Sequence, residues 1–164
     1  MKTKKIVLSA LLASLVCVTT MVIPIPSPLG GYLNLGDGIV LLCGWLLSPA
    51  YGFLAAGIGS GLADMLAGYT LYAPVTFVIK GCMALVAYMM QKQLRARTRP
   101  LISKTVGGVL AEMVMVGGYL LYESFLYGFV PSLVNVPFNA IQGLAGLVVG
   151  LLLVQVFEKH HIME

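Results

Sequence analysis

Charge is the scarcest commodity in this sequence: Asp, Glu, Lys and Arg make up 10% of its 164 residues, against roughly 25% in a soluble domain. So few ionic groups cannot cover a water-exposed surface, which excludes a free-standing soluble fold. Cysteine is sparse as well. Cys17, Cys43 and Cys82 each fall inside an apolar run without paired spacing, so neither a disulfide framework nor a zinc site is expected, and they read as small buried hydrophobes. The two histidines stand side by side at His160-His161, in a segment that reads as a solvated tail. The chain also lacks a GxxxxGK[ST] nucleotide loop. The net charge of +4 does not suggest a nucleic-acid partner, because the ten basic residues form no binding stripe.

What the sequence does have is apolar length. Hydrophobic residues fill 59% of positions. At about 20 residues per crossing, fewer where neighbours screen the ends, the chain holds roughly six transmembrane helices with short connections. The expectation is an all-α integral membrane bundle of six transmembrane helices, one domain over 1–164, in the plasma membrane of a prokaryote. The first run, 5–23, follows Lys2, Lys4 and Lys5 and stops at Pro24, Pro26 and Pro28, since three prolines in five positions cannot continue a helix. It is long for a signal peptide, and Val16 before Cys17 is bulky for a lipoprotein cleavage site. A short run at 38–47 ends at Ser48-Pro49 and needs screening by neighbours or a tilt into the core. Further helices are expected over 51–66, 75–91, 105–127 and 137–157, the last with Asn135 as cap and Pro137 in its first turn. Gly57 and Gly61 form a GxxxG, with Ala56 and Ser60 beside them, inviting close helix approach.

The basic residues set the orientation. Lys2, Lys4 and Lys5, then Lys92, Arg95, Arg97, Arg99 and Lys104 in a loop read as 92–104, then Lys159, mark cytoplasmic segments. Counting crossings from a cytoplasmic start returns the C-terminus to the cytoplasm. It also puts the loops 24–36, 68–74 and 128–136, rich in tyrosine, asparagine and proline, on the outer face.

Asp37, Asp64, Lys80, Glu112 and Glu123 lie in or at the edges of apolar runs, where an ionised group costs on the order of 3 kcal/mol at the bilayer centre. They must therefore point into the bundle. Two readings stand. In one, Asp37, Asp64, Lys80 and Glu123 form an outward-facing polar pocket for a small solute, helped by Tyr69, Tyr72, Asn135, Asn139 and Gln142. In the other, Asp64 and Lys80 are a structural ion pair and Asp37 caps the second helix. Glu112 reads equally as a helix-to-helix hydrogen bond. Tyr32, Tyr119, Tyr122 and Tyr127 read as headgroup anchors, whereas Tyr69 and Tyr72 flank a folded-back loop and suit stacking on a ring. Gly36-Asp37-Gly38 and Gly57-x-Gly59-Ser60-Gly61 echo fragments of intramembrane protease motifs. With no histidine near a membrane helix to act as base, and Asp37 and Asp64 near the outer edge, no enzyme is expected.

Several stretches, in order, resemble one family. Gly31-Tyr32-Leu33-Asn34-Leu35-Gly36-Asp37, Ser60-Gly61-Leu62-Ala63-Asp64-Met65-Leu66-Ala67-Gly68-Tyr69, Tyr72-Ala73-Pro74 with Ile79-Lys80-Gly81, and Pro137-Phe138-Asn139 with Gln142-Gly143 are similar to the S components of energy-coupling factor (ECF) vitamin transporters, riboflavin-type branch. The resemblance spans nearly the whole chain. It implies a substrate-capture subunit that takes a water-soluble vitamin or precursor from outside, with Asn34 joining the site residues above. It also implies a membrane coupling subunit and two cytoplasmic ATPases as partners, and no cofactor or metal. Small residues on helix one, here Ser9, Ala10, Ala13 and Ser14, would dock the coupling subunit; packing within the bundle is the other reading of them. The mixed acid and base set suits a neutral polar heterocycle such as a B6 vitamer or a thiamine precursor, with riboflavin as an alternative. The competing class is a non-transport membrane adaptor whose polar residues only lock helices together.

Overall fold

The computed structural model describes residues 2–159; the His160-His161 pair lies outside the described residues. In chain order the elements are α1 (Lys2–Val22), a two-stranded antiparallel hairpin of β1 (Ile25–Pro26) and β2 (Tyr32–Leu33), α2 (Asp37–Leu46), α3 (Pro49–Leu66), α4 (Ala73–Leu94), α5 (Pro100–Tyr127), a short α6 (Phe129–Ser132), a 3-10 turn (Leu133–Asn135) and α7 (Val136–Lys159). Six helices of ten residues or more (α1 to α5, and α7) make the bundle. Four stretches, in α1, α4, α5 and α6–α7, are long and apolar enough to cross a membrane by length and composition. Bulky apolar side chains face outward along the bundle: Leu121, Phe125 and Val130 are each at least 74% exposed. On a soluble protein such a coat would be an aggregation hazard, and here it is the lipid-facing surface.

The ten-residue α2 occupies the middle. Its residues from Asp37 to Trp45 are all buried, enclosed by α1, α3, α4, α5 and α7. A helix too short to cross on its own is thus screened from lipid by its neighbours, and Val40, Leu41, Leu42 and Cys43 form the centre of the core. Small residues allow the close approach. A methyl group on Gly57 would lie 2.7 Å from the Phe77 carbonyl oxygen of α4, and one on Gly61 3.3 Å from that of Ala73. The GxxxG therefore works between α3 and α4, as its spacing predicts. On the other side of α3, Gly59 meets the Ala13 carbonyl of α1 in the same way.

Two expectations need correction. The 24–36 segment, expected as a loop without strands, contains the β1–β2 hairpin, with Ile25 opposite Leu33 and Pro26 opposite Tyr32; its turn holds Gly30 at φ +81°, a conformation only glycine adopts cheaply. The basic loop is also shorter than 92–104. Pro100 sits at the start of α5, where its fixed φ is helix-ready, so α5 begins five residues early and carries Lys104 into the bundle at 2% exposure.

Candidate substrate-binding site

The helices alternate in direction, so one end of the bundle gathers the hairpin, the C-terminal ends of α3 and α5, and the N-terminal ends of α2, α4 and α7. A polar cavity opens there. It is lined by Ser27, Gly31, Tyr32 and Asn34 from the hairpin loop, Asp64 from α3, Tyr69 and Tyr72 from the α3–α4 loop, and Thr76 from α4. Tyr119 and Glu123 from α5 and Asn139 and Gln142 from α7 close the ring. The free space inside is about 30 Å³, room for a water or two and far below the volume of a heterocycle.

Hydrogen bonds fix most of the lining. The Tyr32 hydroxyl donates to Asp64 at 2.7 Å, and the Tyr32 and Tyr69 rings stack with centroids 4.6 Å apart. Burial, then the neighbouring Asp64 carboxylate, push the Tyr32 phenol well above its ordinary range, so it stays a donor. The Tyr72 hydroxyl donates to the Leu29 carbonyl, tying the hairpin turn to the α3–α4 loop. Thr76 and Tyr119 share a hydrogen bond of 3.0 Å. Asn135 donates its side-chain amide to Glu123 at 2.8 Å. Gln142 works in two directions: its carbonyl accepts the Asn34 backbone N–H at 3.0 Å, and its amide donates to Asp37 at 2.7 Å.

Directly beneath the cavity, Lys80 pairs with Asp37, both almost wholly buried. This overturns both structural roles expected for these residues. Lys80 belongs to Asp37 rather than to Asp64, whose carboxylate is taken by Tyr32. Asp37 is the first residue of α2 and makes no capping bond; the turn into α2 is held instead by Asn34, whose side-chain oxygen accepts the Gly36 N–H at 2.9 Å, an Asx-type turn. Asn135 is no cap for α7 either, because its side-chain oxygen is buried without a partner and its amide is spent on Glu123.

Of the ten residues proposed from the sequence, Asn34, Asp64, Tyr69, Tyr72, Glu123, Asn139 and Gln142 line this one cavity. Asp37, Lys80 and Asn135 stand behind it, each bonded to another of the ten. Tyr32 and Tyr119, read from the sequence as headgroup anchors, instead face the cavity, as do Thr76 and Ser27. Helical spacing held the missing signal: Tyr119 lies four residues before Glu123, and Thr76 four before Lys80, so each pair shares one helix face. Ser9, Ala10, Ala13 and Ser14 lie elsewhere, on a wide apolar groove between α1 and α3. Glu112 faces a second apolar groove, between α5 and α7.

A helical bundle with a lipid-facing coat and a polar chamber at one end defines a class: multi-pass membrane proteins that handle a small polar solute. Comparison with known proteins narrows it. The chain belongs to the family of ECF-type riboflavin transporter S components, whose model matches residues 1–159. That family consists of cell-membrane components of vitamin uptake, not of enzymes. An uncharacterized protein of Pyrococcus woesei is 36% identical over 136 residues, which cover 82% of this chain and 88% of that one. The thiamine precursor transporter HmpT of Lactococcus lactis is 26% identical over 86% of this chain and 78% of its own length. Among solved structures, the S component of a bacterial ECF transporter superposes with a TM-score of 0.78 at 24% identity, covering 98% of both chains. An S component for biotin gives 0.58 at 19% identity, over 94% and 92%. The two structures support the shared fold.

Proposed function

We propose that this chain captures a water-soluble vitamin or vitamin precursor in the hairpin-capped cavity and delivers it together with a membrane coupling subunit and two cytoplasmic ATPases. The observation that carries the reading is the convergence of twelve lining residues, most of them polar or aromatic, on one cavity at one end of an otherwise apolar bundle. A B6 vitamer or a thiamine precursor is the favoured ligand, with riboflavin the alternative; the likeness to HmpT supports the precursor. A cavity of about 30 Å³ admits no such ring as it stands, so entry calls for movement of the segments over it, the hairpin among them. Basic residues Lys4, Lys5, Arg95, Arg97, Arg99 and Lys159 flank helix ends opposite the cavity, which supports cytoplasmic termini and an outward-facing site.

The α1–α3 groove supports the docking role of helix one. It is lined by Ser9, Ala10, Ala13 and Ser14 among bulkier apolar residues. The hydroxyls of Ser9 and Ser14 bond back to the Lys5 and Ala10 carbonyls, leaving a smooth small-residue face for another helix. Calorimetry of the purified protein against a vitamin panel tests the capture reading: one tight ligand is expected, and silence across the panel overturns it. Co-purification with ATPase subunits, lost on Ala10→Leu while ligand binding persists, is the expected result for docking.

A further inference from the structure

Resting on the capture reading, we propose that the cavity selects an amino-bearing, protonatable nitrogen heterocycle and turns away phosphate esters and carboxylates, with Glu123, positioned by Asn135, reading the ligand's amino group. The first ground is charge. Two carboxyl groups, Asp64 and Glu123, line the cavity, and no basic side chain among the described residues does. Lys80, whose Nζ lies 5.6 Å from the ring centre of the cavity-lining Tyr119, is engaged by Asp37. The second is the direction of the hydrogen bonds. The amides of Gln142 and Asn135 and the hydroxyls of Tyr32 and Tyr72 each donate to a protein acceptor. Two buried acceptors there stay open: Glu123 Oε2 on the cavity wall and Asn135 Oδ1 behind it, on residues 3% and 1% exposed. Buried acceptors left open are costly unless a ligand donates to them. An anion would bring further acceptors against two carboxyls with no counter-charge, whereas an exocyclic amine or protonated ring nitrogen supplies the missing donors. The tyrosines supply ring faces: Tyr32 stacked on Tyr69, with Tyr119 and Tyr72 also on the wall, which favours a planar heterocycle.

The test is calorimetry on the full-length protein in detergent. One arm holds an aminopyrimidine alcohol, thiamine and pyridoxamine. The other holds riboflavin and the anions pyridoxal phosphate, flavin mononucleotide and biotin. The tightest ligand is expected in the amine arm, with the anions at least about 100-fold weaker. Glu123→Gln is expected to weaken the amine ligand about 10- to 100-fold, the size of a lost charge-assisted hydrogen bond, whereas Glu112→Gln leaves its affinity unchanged. Tightest binding by riboflavin or an anion, or a folded Glu123→Gln protein with undiminished affinity for its amine ligand, overturns this proposal and leaves capture intact. Silence across both arms overturns capture itself. The comparison of arms on the unaltered protein decides the selectivity even if the variant does not fold.

Discussion

At the residue scale, the buried charges divide into those with partners and one without. Lys80 and Asp37 are paired and Asp37 is further held by Gln142. Removing one member leaves the other uncompensated, which costs about 3–5 kcal/mol. Lys80→Met is therefore expected to lower the thermal midpoint sharply, and the double variant Lys80→Met with Asp37→Asn to recover much of the loss. Glu112 is the contrast. It is 7% exposed, both of its oxygens are buried without a hydrogen-bond partner, and it packs against Gly143 and Gly146 of α7. Glu112→Leu, similar in bulk and free of that unmet demand, is expected to stabilise the bundle by about 1–3 kcal/mol, seen as a raised midpoint in the same melts. That these residues point inward was legible from the cost of charge in lipid. Who pairs with whom was not, because Asp64 lies closer to Lys80 in sequence than Asp37 does, and only the central placement of α2 brings Asp37 against α4.

At the element scale, every long helix was readable from apolar length and proline punctuation, down to the short buried α2. The hairpin was not: a strand pair of two residues each is below any periodicity that alternation can reveal, and its register depends on the Gly30 turn. Nor was the early start of α5, since the basic residues before it pointed to a loop while Pro100 was already helical. Close packing makes its own forecast. Gly57→Ala sets a methyl group 2.7 Å from a carbonyl oxygen on α4, whereas at Gly117 a methyl meets nothing within 4 Å. Gly57→Ala is expected to destabilise by about 1–3 kcal/mol through overpacking. Gly117→Ala is expected to be neutral or stabilising by up to about 1 kcal/mol from helix propensity. Equal effects in paired unfolding measurements would contradict that account of the α3–α4 contact.

At the scale of the whole molecule, the alternation of helices carries the loops 24–36, 68–74 and 128–136 to one end, as the crossing count predicts, and the basic segments to the other. In a background with Cys17, Cys43 and Cys82 replaced, Thr70→Cys is expected to react with a membrane-impermeant maleimide added outside intact cells, and Arg97→Cys only after lysis. The reverse pattern would invert the orientation and with it the direction of capture. The sequence located seven of the ten proposed residues on the cavity wall because each is a polar or aromatic residue in or beside an apolar run. It placed Tyr32 and Tyr119 at the headgroups because a tyrosine close to the membrane boundary looks the same in sequence whether it faces lipid or a chamber.

The Gln142 side chain joins the hairpin to the buried ion pair with a single amide. Its orientation is fixed, because turning it over would set N–H against the Asn34 N–H and oxygen against the Asp37 carboxylate. Lifting the hairpin therefore strips an acceptor of its partner at the brink of a dry interior, and water or the incoming solute must arrive to take the place of the departing N–H.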